Sequence, residues 1–537
     1  MSLTPVINTS TGNDNTTLDT YTVISVVIHL GSYCVIAGFS NQELPQCIIP
    51  TNYTVTTEGE LCFGLYELLS TANTDKLNTN KQIFNIISDN SNGDDDYKYN
   101  WKALIKLLEY IYSKHLKIDP QEIPLILTIP PHLPPLIKQK LYTTVLLELK
   151  VPCVQLIAEP LGVSLSLGRS SSLVIDIGAK NVIATSIIDG SITNICKSKI
   201  AGNFLDYQIS KMVKEKLLQG TDGIINDESS FDLWKNSWTW IKDFKMMMLN
   251  IQPFPLEKAT ADNVNDTSGP KNNDLVTTTT TTTTNNNNNT EDNDVDMVNA
   301  DETAKEDVIN TNYNNFLYRN KVTLKFTDLE LNQLSELLFN PKITNDPIFD
   351  TITGKYPSST PGAVEKENIE RDTVNNTNFS KVNNVVTTNI PSTANNLLQY
   401  TGLISVIQTA IKNTLSNINN EEEQGSTTAN ITGANITTTN TTSAAINKAS
   451  GIKPEQVISS LLSNILIIGG SSLIPGLEQR IINEISLIYP QYKLSTFANP
   501  ITIDRQLQSW IGGCVMGNLP QIWELGDWHY PMNENSI

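Results

Sequence analysis

Apolar residues in this chain gather into two matching blocks. Val26 to Ser40 and Leu173 to Ile188 each read as an apolar strand, a tight turn carrying glycine, and a second apolar strand. The turns run through Ile28-His29-Leu30-Gly31-Ser32-Tyr33 and Ile175-Asp176-Ile177-Gly178-Ala179-Lys180. Between the blocks the spacing changes. In Trp101 to His115 the residues Leu104, Leu107, Leu108 and Ile111 recur at helical intervals, and Ile123 to Ile129 is an apolar run of strand length. Pro134 opens a helix reaching Leu149, Val154 to Ile157 is a strand, and Leu161 to Leu167 is helical. This alternation of strand and helix predicts an α/β fold.

Beyond the second block, Gly202 to Leu218 and Phe231 to Leu249 read as helices. In the latter, Trp234, Trp238, Ile241, Phe244 and Met248 share one face, a stripe expected to enter the core. A strand at Lys321 to Phe326 runs into Thr327-Asp328-Leu329-Glu330, a capping box that starts a helix ending before Pro341. Leu403 to Leu415 and the helix from Pro454 to Leu462 precede the strand Ile465 to Ile468.

Polar sequence interrupts this pattern at about 250–312, 342–393 and 416–450, and forms a tail over 1–20. Thr277 to Asn289 is an unbroken Thr/Asn tract. Such segments bury too little apolar area to offset their ordering entropy, so disorder is expected. Deleting Thr277 to Ala300 is therefore expected to leave soluble yield unchanged, and loss of soluble expression would contradict this.

At 537 residues the chain exceeds one ordinary core, so two lobes with long insertions are expected. A net charge of -19 argues against direct contact with a nucleic-acid backbone. Six cysteines without CxxC spacing read as reduced, mostly buried thiols. The start lacks the pattern of a signal peptide, and no apolar run approaches membrane-spanning length, so a cytosolic or nuclear protein is expected.

Turn amides and missing side chains at glycine let backbone N–H groups face an anion, so the paired hairpins are candidates for holding phosphates. Ile465-Leu466-Ile467-Ile468-Gly469-Gly470-Ser471-Ser472 adds a buried strand, two glycines and two hydroxyls, where a base and its ribose could lie against the backbone.

These residues resemble the actin family. Ala37-Gly38-Phe39 follows the first phosphate turn, and Pro124-Leu125-Ile126-Leu127-Thr128 is similar to the strand before actin's helix-bearing loop. Glu336-Leu337-Leu338-Phe339-Asn340-Pro341, Gly469-Gly470-Ser471-Ser472 with Pro475-Gly476, and Trp510-Ile511-Gly512-Gly513 are similar to further actin segments. The likeness spans roughly 21–249 and 313–530. It implies a two-lobed α/β fold of the actin, Hsp70 and hexokinase superfamily, with a duplicated mixed-sheet core and long inserts in the second lobe. The first lobe would cover 21–166, completed by 509–537, and the second 167–508.

The resemblance also implies a nucleotide site. Gly31 and Ser32 fall in its first phosphate loop, Asp176 and Gly178 in its second, Lys242 and Asp243 match a pair contacting adenosine, and Gly469, Gly470 and Ser472 complete the cradle. Departures are numerous. His29 stands where actin has an Asp of the metal shell, Tyr33 where it has Gly, and Ile36 where it has a Lys reaching the phosphates. Ala179, Lys180 and Ile183 replace an Asp, a Gly and a His, and Glu159 replaces the Gln that orients water.

The nearest likeness within the family is to nuclear subunits of fungal SWI/SNF and RSC chromatin-remodelling complexes, carried by Glu43-Leu44-Pro45-Gln46-Cys47 and Thr496-Phe497-Ala498-Asn499 among other stretches. It implies a non-catalytic nuclear subunit that holds ATP structurally without hydrolysing it. Magnesium stays open. The implied partners are actin-related protein nine, as a heterodimer, the helicase-SANT-associated helix of the remodeller ATPase, and other remodeller subunits, with no direct DNA binding and no membrane. The alternative is an active ATPase using Asp176 and Glu159.

Overall fold

The computed structural model describes residues 24–56, 58–69, 83–88, 98–220, 234–255, 313–341, 400–425, 453–497, 502–519 and 528–531. The polar tail and most of the three expected inserts lie outside these residues.

In the first lobe, β1 (Val26–Leu30), β2 (Cys34–Phe39), β3 (Cys47–Pro50), β4 (Leu125–Ile129) and β5 (Val154–Ala158) form one sheet in the order β5-β4-β1-β2-β3. The meander β1-β2-β3 is antiparallel, and β4 and β5 add in parallel. All five residues of β4 are buried, as a strand covered on both faces requires. The helices α1 (Trp101–Tyr110), α2 (Pro135–Thr143) and α3 (Glu159–Ser166) belong to this lobe. Asn100 caps α1 by accepting the Ala103 N–H, and Pro134 stands at the N-terminus of α2.

The second lobe repeats the plan. β6 (Ser172–Ile177), β7 (Val182–Ile188) and β8 (Ser191–Ser198) make an antiparallel meander. The helix α4 (Gly202–Gly220) follows, then a π-helical turn at Ser237–Ile241 that continues into α5 (Lys242–Met248). A separate hairpin, β9 (Tyr313–Tyr318) with β10 (Val322–Thr327), leads into α6 (Asp328–Glu336). The expected capping box is present, with Thr327 Oγ1 accepting the Glu330 N–H at 3.2 Å and the Glu330 carboxylate accepting the Thr327 N–H at 2.8 Å. After α7 (Leu403–Gly425) and α8 (Pro454–Leu462), β11 (Ile465–Ile468) and β12 (Thr496–Phe497) complete a sheet ordered β8-β7-β6-β11-β12. The helix α9 (Leu477–Ile488) lies between these strands in sequence.

The registers make the duplication explicit. His29 pairs with Ile36 across the first hairpin and with Thr128 on β4, while Asp176 pairs with Ile183 and with Ile468 on β11. The loops are of equal length, because Leu30 pairs with Val35 and Ile177 with Val182. Gly31 thus corresponds to Gly178, Ser32 to Ala179 and Tyr33 to Lys180.

Two connections join the lobes. α3 carries the chain from β5 to β6, and α10 (Thr502–Asn518) packs against α3, β1 and β11. A Cβ on Gly512 would lie 2.6 Å from the carbonyl carbon of Gly162, so these helices cross with their backbones in contact. Among the described residues no helix is long and apolar enough to cross a membrane. All six cysteines are free thiols, five buried and Cys62 half-buried.

Three expectations need correction. Residues 250–255 are not part of the second lobe's first insert, because Ile251 is 2% exposed and its N–H donates to Pro475 O at 2.8 Å. Helix α7 continues past Leu415 to Gly425, ten residues into the expected third insert. The Trp stripe is also divided. The π-helical turn adds a residue to its loop, so buried Trp240 joins Phe244 in the core while half-buried Trp238 turns toward the other lobe.

Candidate functional site

A cavity of about 150 Å³ lies between the two hairpins. The strand ladders end at Leu30 and Val35, and at Ile177 and Val182, and in the second loop the Gly178 N–H still donates to Asn181 O at 3.1 Å. Thr51 pins the first loop, its hydroxyl donating to Gly31 O at 2.7 Å and its N–H to Tyr33 O at 3.1 Å. The loop glycines answer a need for space, since a Cβ on Gly31 would stand 2.6 Å from Cys34 O and one on Gly178 3.1 Å from Asn181 O. Gly469 is different. Its φ of 95° is in the region that favours glycine, and a Cβ there would run into Asp176 Oδ1 and the Ile177 carbonyl.

Of the residues expected to bind nucleotide, Gly31, Ser32, Asp176, Gly178, Lys242, Gly469 and Gly470 line this cleft together. Two do not. Ser472 is buried and donates to Gly469 O at 2.6 Å, while its neighbour Ser471 lines the cleft and donates to Gly178 O at 3.4 Å. The 3₁₀ turn at Gly470–Leu473 rotates successive side chains by about 120°, which puts the first serine in the cleft and the second behind it. Asp243 is exposed on the outer face of α5. Lys242, Lys245 and Met246 face inward at i, i+3 and i+4, a spacing legible in the sequence but overlooked. Asp206 on α4 also lines the cleft and pairs with Lys245 at 2.7 Å.

The floor of the cleft holds His29, Glu159 and Asp176. His29 Nδ1 is 3.1 Å from Thr128 Oγ1 and 3.6 Å from Glu159 Oε1. The second distance is within ion-pair range, but burial lowers the His29 pKa to about 4, so the ring is neutral at pH 7. Burial raises the Asp176 carboxyl to about 7, and burial together with the Asp176 charge holds Glu159 well above the ordinary carboxylate range. Apolar Ile36 and Ile183 complete the floor, and Lys180, 6% exposed, brings a cation to the second loop.

This charge state makes a test possible. A carboxyl raised from 3.8 to about 7 binds a proton in the folded chain that the unfolded chain has released, so its stabilising contribution is lost as pH rises through that window. In nucleotide-free protein with chelator, Asp176→Asn should gain melting temperature over the parent, and the gain should be larger at pH 8 than at pH 5. His29 titrates in both proteins and cancels, whereas Glu159 loses the Asp176 charge in the variant, which adds to the gain at the higher pH. An equal difference at both pH values would refute the assignment.

Loop amides, glycines where a Cβ would intrude, and hydroxyl and lysine side chains fit a nucleotide's phosphates and sugar. The fit to a divalent cation is poorer. The hairpins supply one carboxylate, Asp176, with a raised pKa, and His29 is engaged with Thr128.

Comparison with known proteins agrees with this geometry. A family profile described as actin matches residues 20–236 and 332–525. Actin-related protein 7 of Saccharomyces cerevisiae is 32% identical over 532 residues, covering 94% of each chain. Actin-related protein 4 of Debaryomyces hansenii is 24% identical over 96% of each chain. The SWI/SNF and RSC complexes subunit arp42 of Schizosaccharomyces pombe is 26% identical over 192 residues, covering 35% of this chain and 43% of its own length. With paired sheets of matching order, a cleft between their hairpins and a family match over most of its length, this chain belongs to the actin family.

Proposed function

We propose that this protein is a non-catalytic actin-like subunit of SWI/SNF- and RSC-type chromatin-remodelling complexes and works in the nucleus. It pairs there with a second actin-related protein of the actin-related protein nine type and binds the helicase-SANT-associated helix of the remodeller ATPase. Similarity to actin-related protein 7, and to a subunit named for both complexes, supports the assembly.

The observation that carries the non-catalytic role is the mismatch between the hairpins. At the register where β6 has Asp176, β1 has a neutral His29 bonded to Thr128, with isoleucine opposite each. Phosphoryl transfer to water needs an aligned nucleophile and fixed charge to absorb developing negative charge. The cradle is retained, whereas much of that equipment is not. A nucleotide held here acts through binding to the folded form alone, which adds about 2.7 kcal/mol when present at 100 times its Kd.

Tagged protein purified from its own cells should bring down a remodeller ATPase and a second actin-related protein. Recombinant protein should melt at a higher temperature with ATP, with turnover at background. Absence of remodeller subunits from the purified material would overturn the assembly role, and unchanged melting would remove the nucleotide.

One observation favours a second reading. Glu159, 6% exposed, stands beside His29 and Asp176 at the start of α3, where a raised carboxyl could serve as a base. ATP turnover with magnesium that disappears in Glu159→Gln would establish that reading.

A further inference from the structure

Tyr33 and Lys180 hold the same place in their loops, and Tyr33 reaches the opposite lobe. Its ring lies flat against Trp238, with centroids 4.4 Å apart and planes 6° from parallel. Its hydroxyl is 3.5 Å from Ser237 Oγ, which donates to Asp206 Oδ2 at 3.2 Å, and Asp206 pairs with Lys245. One turn earlier, Trp234 Nε1 donates to Asn52 Oδ1 of the first lobe at 3.0 Å. Trp234 and Trp238 are themselves 6.4 Å apart, so an aromatic run crosses from one lobe to the other. Both ends are anchored. Thr51 ties down the first loop, and the core residues Trp240 and Ile241 seat the turn that carries Trp238.

We propose that Tyr33 and Trp238 form a clasp that closes the two lobes on each other with no nucleotide between them, and that ligand enters the cleft when the clasp parts. The gating role rests on the nucleotide reading given above, whereas the clasp itself rests on the contacts across the cleft. Whatever spans a cleft between lobes joined at its base must be ligand or chain, and here the chain itself spans it. Tyr33 belongs to a loop that lines the cleft, so separating the rings also moves one of its walls. The arrangement lets the subunit keep one shape whether or not the cleft is filled.

Cys34 provides a local reporter. It lines the cleft beside Tyr33, is 7% exposed, and its thiol is pushed up to about 11 by burial, so alkylation reads opening of the cleft. In nucleotide-free full-length protein, Trp238→Ala should raise the rate of Cys34 alkylation by iodoacetamide about 3- to 10-fold, the range expected from one stacked aromatic pair. Cys47, buried in the first lobe away from the clasp, should keep its rate, and Trp238→Phe should stay near the parent. An unchanged Cys34 rate in Trp238→Ala overturns the clasp.

If Cys34 and Cys47 both accelerate, a cycle of melting temperatures over Tyr33→Ala, Trp238→Ala and the double variant decides. Coupled losses support the clasp and additive losses overturn it. Adding ATP to Trp238→Ala should restore protection of Cys34. Coupled losses without that restoration would remove the nucleotide reading and leave the clasp.

Discussion

Replacing Arg480 by Ala should cost about 3–5 kcal/mol of folding free energy and lower the melting temperature by roughly 10 °C. Arg480 is 1% exposed on α9, and its guanidinium makes a two-pronged pair with Glu336 on α6, Nη2 to Oε1 at 2.8 Å and Nη1 to Oε2 at 3.0 Å. It also donates to the Gln252 and Phe254 carbonyls at 3.0 and 2.8 Å, bonds the Glu484 carboxylate, and lies 4.6 Å from the centre of the Phe339 ring. Truncation leaves Glu336, 4% exposed, as a buried carboxylate without its cation, and removes the donor from two carbonyls. The apolar double variant Arg480→Met with Glu336→Leu should recover much of the loss, because a buried ion pair adds little over well-packed apolar groups. Thermal melts of both proteins check this. A double variant as unstable as Arg480→Ala would show that the carbonyl bonds, and not the ion pair, hold α9 to residues 252–254.

Trp510→Ala should destabilise by a comparable amount, about 3–5 kcal/mol, through the cavity left by a side chain with no exposed surface. The indole stands on α10 against β1, donates to Val27 O at 3.1 Å, and approaches Gly38 closely enough that a Cβ there would sit 2.9 Å from the ring. Trp510→Phe keeps most of the volume and loses the N–H, so it should fall between parent and Ala. Its deficit measures the cost of leaving the Val27 carbonyl without this donor. Equal stability of the Phe and Ala variants would mean that the hydrogen bond, and not the volume, dominates this site.

The parts of the molecule legible in its sequence are those fixed by short-range pattern. Both hairpins, the strands Leu125–Ile129 and Ile465–Ile468, and the Thr327 capping box follow from neighbours a few positions apart, and all are present. Seven of the nine expected cleft residues also assemble, six of them on turns whose glycine or strand end fixes their place and Lys242 at the start of α5. The misses have local causes. Ser472 and Asp243 were separated from the cleft by one residue's rotation, in a 3₁₀ turn and on a helix face. Trp238 was displaced by a π-helical turn, which has no compositional signature. Asp206 with Lys245, Arg480 with Glu336 and Tyr33 with Trp238 meet across the fold, and side-chain pairing over such separations is not carried by periodicity.

The backbone contact of α3 with α10 at Gly162 and Gly512 has a mechanical consequence. With no side chain between them at this point, the two glycine backbones set how close the helices come, and Gln508 Nε2 on α10 donates to Ser166 Oγ on α3 at 3.2 Å. The crossing joins the two lobes, so a roll of one helix on the other would have its axis here. A small roll there becomes a larger displacement at the loop tips, so a contact of modest energy placed at the tips restrains the roll with the advantage of a long lever arm.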